Sequence, residues 1–105
     1  MSAGRKRPER TARRAEERDA RKRVRDREKL AALSPGGARE HPIEVASAAV
    51  IDGRAGSLPC PQCGGPYRIR DHRSAGPGLR CVDVTCRQCG APRTLWFRIT
   101  VDEPN

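Results

Sequence analysis

Cys60-Pro61-Gln62-Cys63-Gly64 and Cys86-Arg87-Gln88-Cys89-Gly90 are two hooks of one design, a cysteine pair three positions apart closed by a glycine. Twenty-two residues, 64 to 85, separate them, enough for a strand, a turn and a returning strand. Four thiolates delivered as two such pairs are what a tetrahedral zinc ion accepts. The spacing falls close to the pattern of two C-x2-C pairs that reads as a zinc site. A two-point grip needs the backbone to fold sharply between the sulfurs. Glycine after the second cysteine allows a positive φ without a Cβ clash, and Pro61 fixes φ where the chain enters the turn. Backbone N–H groups can then point at the sulfurs and offset their charge. Cys60, Cys63, Cys86 and Cys89 are therefore the candidate ligands of one Zn2+ ion.

The chain around the hooks is short and polar. It has 105 residues, 33% charged and 35% hydrophobic, with only Tyr67, Trp96 and Phe97 as aromatics. Such a composition supports one small folded domain plus a tail. Domains near or below about 40 residues usually need a metal or disulfides to stay folded. Structural zinc contributes on the order of 10–16 kcal/mol in small finger peptides, so metal binding and folding are expected to be one event.

Five cysteines fit four metal ligands plus one spare thiol, Cys81, better than a secreted disulfide framework. No apolar run is long enough to span a membrane, and none follows the basic start as a signal peptide requires. The expectation is an intracellular, cytoplasmic protein with no membrane partner. Six acids among residues 1–33 count against an organelle transit peptide.

The net charge of +9 is unevenly spread. Residues 1–33 hold 13 Arg/Lys against 6 Asp/Glu, while residues 34–105 hold 9 against 7. Good helix formers dominate from Glu9 to Leu33, and Ser34-Pro35-Gly36-Gly37 is a firm stop. Glu9–Arg13, Glu17–Arg21 and Asp19–Arg23 support a helix at i,i+4, but more pairs at that spacing repel, among them Arg14–Arg18 and Arg21–Arg25. With no apolar stripe to dock it, this arm reads as a frayed, solvated helix, or a disordered one, that firms up on a polyanion. Arg13, Arg14, Arg18, Arg21, Lys22, Arg23 and Arg25 are its candidate phosphate contacts. Lacking an aromatic for base stacking, the arm is expected to hold backbone phosphates with weak sequence preference.

Residues 34–42 read as a linker and 43–105 as the folded domain. Ile43 and Val45 alternate like a strand, which makes 43–51 a candidate fourth strand, although Ala46-Ser47-Ala48-Ala49 could equally be one helical turn. Asp52-Gly53 and Ala55-Gly56-Ser57 read as turns into the first hook. Tyr67 to His72 alternates, Ser74 to Gly78 is a loop, and Leu79 to Thr85 returns as a second strand. Thr94 to Val101 gives a third, with Leu95, Phe97, Ile99 and Val101 on one face. The expected core sets Tyr67 and Ile69 against Leu95, Phe97 and Ile99, with Val82 and Val84. The opposite face gathers Arg68, Arg70, Trp96 and Arg98, a basic surface with one aromatic that suits single-stranded nucleic acid.

Residues 60–101 resemble a zinc ribbon, a family with a C-P-x-C-G hook and a C-x2-C-G hook at the ends of two hairpins. The resemblance implies a small β-rich domain with a three-stranded antiparallel sheet and one zinc ion on the four cysteines. It says little about function, since ribbons serve in transcription factors, ribosomal proteins and primases. The acidic pair at the hairpin tip of transcript-cleavage ribbons is replaced here by Asp71-His72-Arg73, so that role is not expected.

Nothing in the sequence assembles an enzyme. Four thiolates around zinc leave no open coordination position, and His41 and His72 read as surface residues. The expectation is a non-enzymatic, monomeric zinc protein with no small-molecule substrate. It would bind RNA, DNA or a nucleoprotein complex such as ribosome or polymerase through the arm and the sheet face. Two alternatives stand beside it. One is a protein–protein adaptor that never touches nucleic acid. The other is a rubredoxin-like iron carrier, disfavoured by the basic charge and the scarcity of aromatics. Cys81 reads as a packed small side chain, with ligand exchange or redox sensing as its other readings.

Overall fold

The computed structural model describes residues 3–100. Helix α1 runs Ala3–Leu33, followed by strand β1 (Ile43–Val45), a 3-10 turn at Ala48–Val50, helix α2 (Ile51–Ser57), and strands β2 (Tyr67–Gly76), β3 (Leu79–Cys86) and β4 (Pro92–Ile99). The sheet order is β1-β4-β3-β2, with β2, β3 and β4 antiparallel and β1 parallel to β4. The three expected strands are thus present, although β2 runs on through Ser74, Ala75 and Gly76, residues expected in the loop. Val101, expected on the last of them, lies outside the described residues.

The core occupies one face of the sheet and is sealed by α2. Tyr67, Val82, Val84, Leu95 and Phe97 are buried as their alternation predicts, joined by Ile43, Val45, Ile51 and Ala55. Ile69 and Ile99 are only partly buried at its margin. Residues 43–51 are not one strand. Only Ile43–Val45 pairs, Ile43 against Phe97 and Val45 against Ile99, and the chain then turns into helix. The residues read as turns, Asp52-Gly53 and Ala55-Gly56-Ser57, belong to α2. Ile51 and Ala55, four apart, meet the core on one helical face, and Leu58 follows at the next turn. That apolar spacing outweighs the poor helix propensity of the two glycines.

The 34–42 segment is pinned rather than loose. Trp96 N–H donates to the Gly36 carbonyl at 2.9 Å, and Gly36 N–H donates to that of His41 at 2.6 Å. Helix α1 does not hang free either. Its last turns touch the first hook, and Ala31 is buried. The expectation that nothing docks this helix is corrected, because the contact is polar and leaves no apolar stripe to read.

Candidate metal centre

The two hooks fold alike and face each other. In the first, Gly64 N–H closes onto the Cys60 carbonyl at 2.7 Å; in the second, Gly90 N–H closes onto that of Cys86 at 3.0 Å. Gly64 and Gly90 have φ of 78° and 77°, the left-handed region that only glycine enters freely. Arg87 N–H donating to the Pro66 carbonyl at 2.8 Å ties one hook to the other. Between them Gly65 leaves no room for a side chain: a Cβ there would stand 2.7 Å from Gln88 Cβ and 3.1 Å from Cys86 Sγ.

The result is a cluster of four sulfurs, Cys60, Cys63, Cys86 and Cys89, all within 4.8 Å of one another. Cys60 and Cys89 stand 3.7 Å apart, Cys63 and Cys86 3.4 Å. A tetrahedron with metal–sulfur bonds of about 2.3 Å has an edge of roughly 3.8 Å, so the four fit around a single ion. Gly65 N–H points at Cys63 Sγ, and the N–H groups of Gln88 and Cys89 point at Cys86 Sγ, each at 3.4 Å.

These donors divide the charge. At Cys86 the N–H groups of Cys89 and Gln88 overcome burial and pull the thiol down to about 6. Cys63 also accepts an N–H, from Gly65, which acts to lower it. The neighbouring Cys86, burial and the other two thiols outweigh that donor and push Cys63 up to about 12. Adjacent like charges oppose one another, so the clustered thiols resist ionising together. A divalent cation removes the conflict by taking both as thiolates. Cys81 stands apart, five residues from Cys86 along β3, or about 16 Å at the rise of a strand. It is 1% exposed, opposite Trp96 on the face away from the core.

Around the first hook lies a set of contacts that the sequence did not announce. Gln62, between two of the candidate ligands, donates its amide to the Val24 carbonyl at 3.1 Å and to Glu28 Oε2 at 2.7 Å. Arg27 Nη1 donates to the Gln62 carbonyl at 3.0 Å. Arg93, on β4, completes the clasp by pairing with the same Glu28 oxygen. Burial acts to raise the Glu28 carboxyl, yet Gln62 and Arg93 together hold it below its ordinary value. A glutamine inside a C-x2-C pair has no pattern that would have marked it.

The register places the expected sheet-face residues on one side but does not gather them. Arg68 sits beside Thr85 and Arg98 beside Leu79. Those rows are six residues apart along β3, about 20 Å. Arg70 falls at a register shift between Ile69 and Asp71. Between the two ends Arg73 grips Asp83 through two hydrogen bonds, at 2.9 and 3.1 Å, and Thr94 donates to the same carboxylate. Trp96 is half-buried, while Arg68, Arg70 and Arg98 are exposed. His72 is not a plain surface residue, since its ring meets Asp52 at 2.9 Å beside α2. On α1, Arg13, Arg14, Arg18, Arg21, Lys22, Arg23 and Arg25 are all exposed.

Fold and site together define a small β-rich domain with a four-cysteine cluster suited to binding a metal ion, consistent with a zinc-ribbon-like site. No family model matches the chain, and comparisons with curated proteins and with solved structures likewise give no match. Among the described residues no helix is long and apolar enough to cross a membrane.

Proposed function

We propose that this chain is a non-enzymatic zinc ribbon that binds nucleic acid, alone or within a nucleoprotein assembly, through its basic N-terminal helix. The four thiolates close the ion's coordination, so its part is structural: it holds the hooks, and through them the sheet. The observation that carries the nucleic-acid reading is the arm itself. Residues 1–33 carry 13 Arg/Lys against 6 Asp/Glu, and from Glu9 to Leu30 nearly every side chain faces solvent. A surface of that charge attracts phosphates before anything else.

The sheet face has a smaller part in this reading, because Asp83 and Asp71 interrupt its arginines. Binding of the zinc-loaded protein to a mixed-sequence oligonucleotide, followed against salt, tests the proposal. A steep decline is expected, with a log–log slope near −0.9 for each phosphate neutralised on duplex DNA. Binding to native extract partners that ignores both salt and nuclease treatment would make the chain a protein adaptor instead. Zinc is checked by metal content on a colourless preparation, since iron held by four thiolates is coloured.

A further inference from the structure

We infer that one face of α1, made by Arg14, Arg18, Arg21, Lys22, Arg25 and Lys29, is a docking strip for the phosphate backbone of double-stranded nucleic acid. The inference rests on the nucleic-acid reading above and gives it a surface and a class of ligand. At 3.6 residues per turn these six side chains fall within an arc of about 100° around the helix axis. All six acids of the arm, Glu9, Glu16, Glu17, Asp19, Asp26 and Glu28, lie outside that arc. Arg10, Arg13, Arg23 and Arg27 are on the acidic side, interleaved with them. The arm is therefore not uniformly basic. It has one cationic face and one mixed face.

The strip is straight and accessible. From Arg14 to Lys29 it runs about 22 Å at the helical rise, and each of its residues is exposed. Among the described residues its one ion pair is at the edge, where Arg21 stands 3.8 Å from Glu17. The clasp to the first hook uses the Val24 carbonyl and the side chains of Arg27 and Glu28; around the helix axis Arg27 lies about 170° and Glu28 about 70° from the centre of the strip, both outside its arc. Docking on the metal domain thus leaves the cationic face free.

The chemistry favours a duplex. Grip on single strands draws on aromatic stacking, and residues 1–33 contain no aromatic side chain. A rigid row of cations matches a rigid row of phosphates, and a duplex supplies one negative charge per about 1.7 Å of axis. Insertion into a groove would bring phosphates up on both flanks, where Asp19 and Asp26 on one side and Glu17 and Glu28 on the other would meet them. The strip instead lies along the backbone from one side, without reading bases.

The test compares two triple variants of the full zinc-loaded chain with equal change in charge. Arg18→Gln, Lys22→Gln and Arg25→Gln remove the central half of the strip's charges; Arg10→Gln, Arg13→Gln and Arg23→Gln thin the mixed face. Both keep good helix formers, and circular dichroism and zinc content verify the fold. Probes are a mixed-sequence duplex, as DNA and as RNA, and its separated single strand. The strip variant should lose at least tenfold in duplex affinity and flatten the salt slope on DNA by about 2.7, three contacts at about 0.9 each. The mixed-face variant should change the slope by less than half as much. Equal effects of the two triples, or tighter binding to the single strand than to either duplex, overturn the inference while leaving nucleic-acid binding intact. A parent protein that binds none of the probes removes both.

Discussion

Arg93 is charged and only 10% exposed, and its carboxylate partner Glu28 comes from a helix 65 positions earlier in the chain. Removing one partner of a fully buried pair costs about 3–5 kcal/mol, because the other charge is left without a counter-ion. Glu28 is 47% exposed, so solvent takes up part of that loss. Glu28→Gln should therefore cost about 1–2 kcal/mol in the zinc-loaded protein. Adding Arg93→Met should restore part of it, and chemical denaturation of the four members of that cycle measures both. Tyr67 offers a separate check at the same scale. Burial, against the opposing pull of Arg93, pushes its hydroxyl up to about 12 from an ordinary 10.0. Since the folded value is the higher one, this contribution to stability is whole below pH 10 and is lost as pH rises through 12. Tyr67 is the chain's sole tyrosine, so tyrosinate absorbance reports it directly. Its midpoint should sit near 12 in the zinc-loaded protein and near 10 in denaturant.

At the scale of elements, the hooks behave as their sequence implies and the connections do not. Two cysteines and a glycine determine a turn by local chemistry alone, which is why the four-cysteine cluster and both positive-φ glycines could be read directly. The three antiparallel strands were legible for a similar reason, since alternation from Tyr67 to Ile69 and from Leu95 to Ile99 leaves one face for the core, even though a register shift after Ile69 breaks the period in β2. Helix α2 was hidden by composition: Asp52-Gly53 and Gly56 look like turns until Ile51 and Ala55 are seen to share one buried face. The parallel pairing of β1 with β4, and the clasp of α1, are long-range choices that no local pattern encodes. Gly65 belongs with the hooks, yet its reason is spatial, since it lies under Gln88 Cβ and Cys86 Sγ. Gly65→Ala is expected to push the hooks apart and weaken zinc binding by about 10–100-fold, the range seen when groups supporting metal ligands are disturbed. Competition with a chromogenic chelator measures it. Retention of parental affinity would mean that the hooks can separate without cost.

For the molecule as a whole, the proposed zinc ion and the fold are expected to stand or fall together. The buried set is short, with Phe97, Ile51, Val82 and Val84 the largest fully buried apolar side chains besides cysteine. Structural zinc, at about 10–16 kcal/mol in small domains, outweighs what so few side chains supply. Chelation under reducing conditions should collapse the dispersed amide resonances of residues 43–99, and Cys86→Ser should do the same without chelator. A stripped, reduced chain that kept a cooperative melt would contradict this account. Acid should act in the same direction, because protons compete with the metal for the thiolates.

Gln62 gives the clasp a meaning beyond stability. The molecule measures 83 × 23 × 18 Å, and the segment ahead of Val24 reaches some 30 Å past the anchor at the helical rise. That lever has its pivot on Gln62, a side chain seated between two cysteines of the cluster. Ejecting the ion, or oxidising its thiols to a disulfide, would reshape the pivot and leave the lever on a swivel. A partner engaged at its far end would then feel the redox state of four cysteines it never touches.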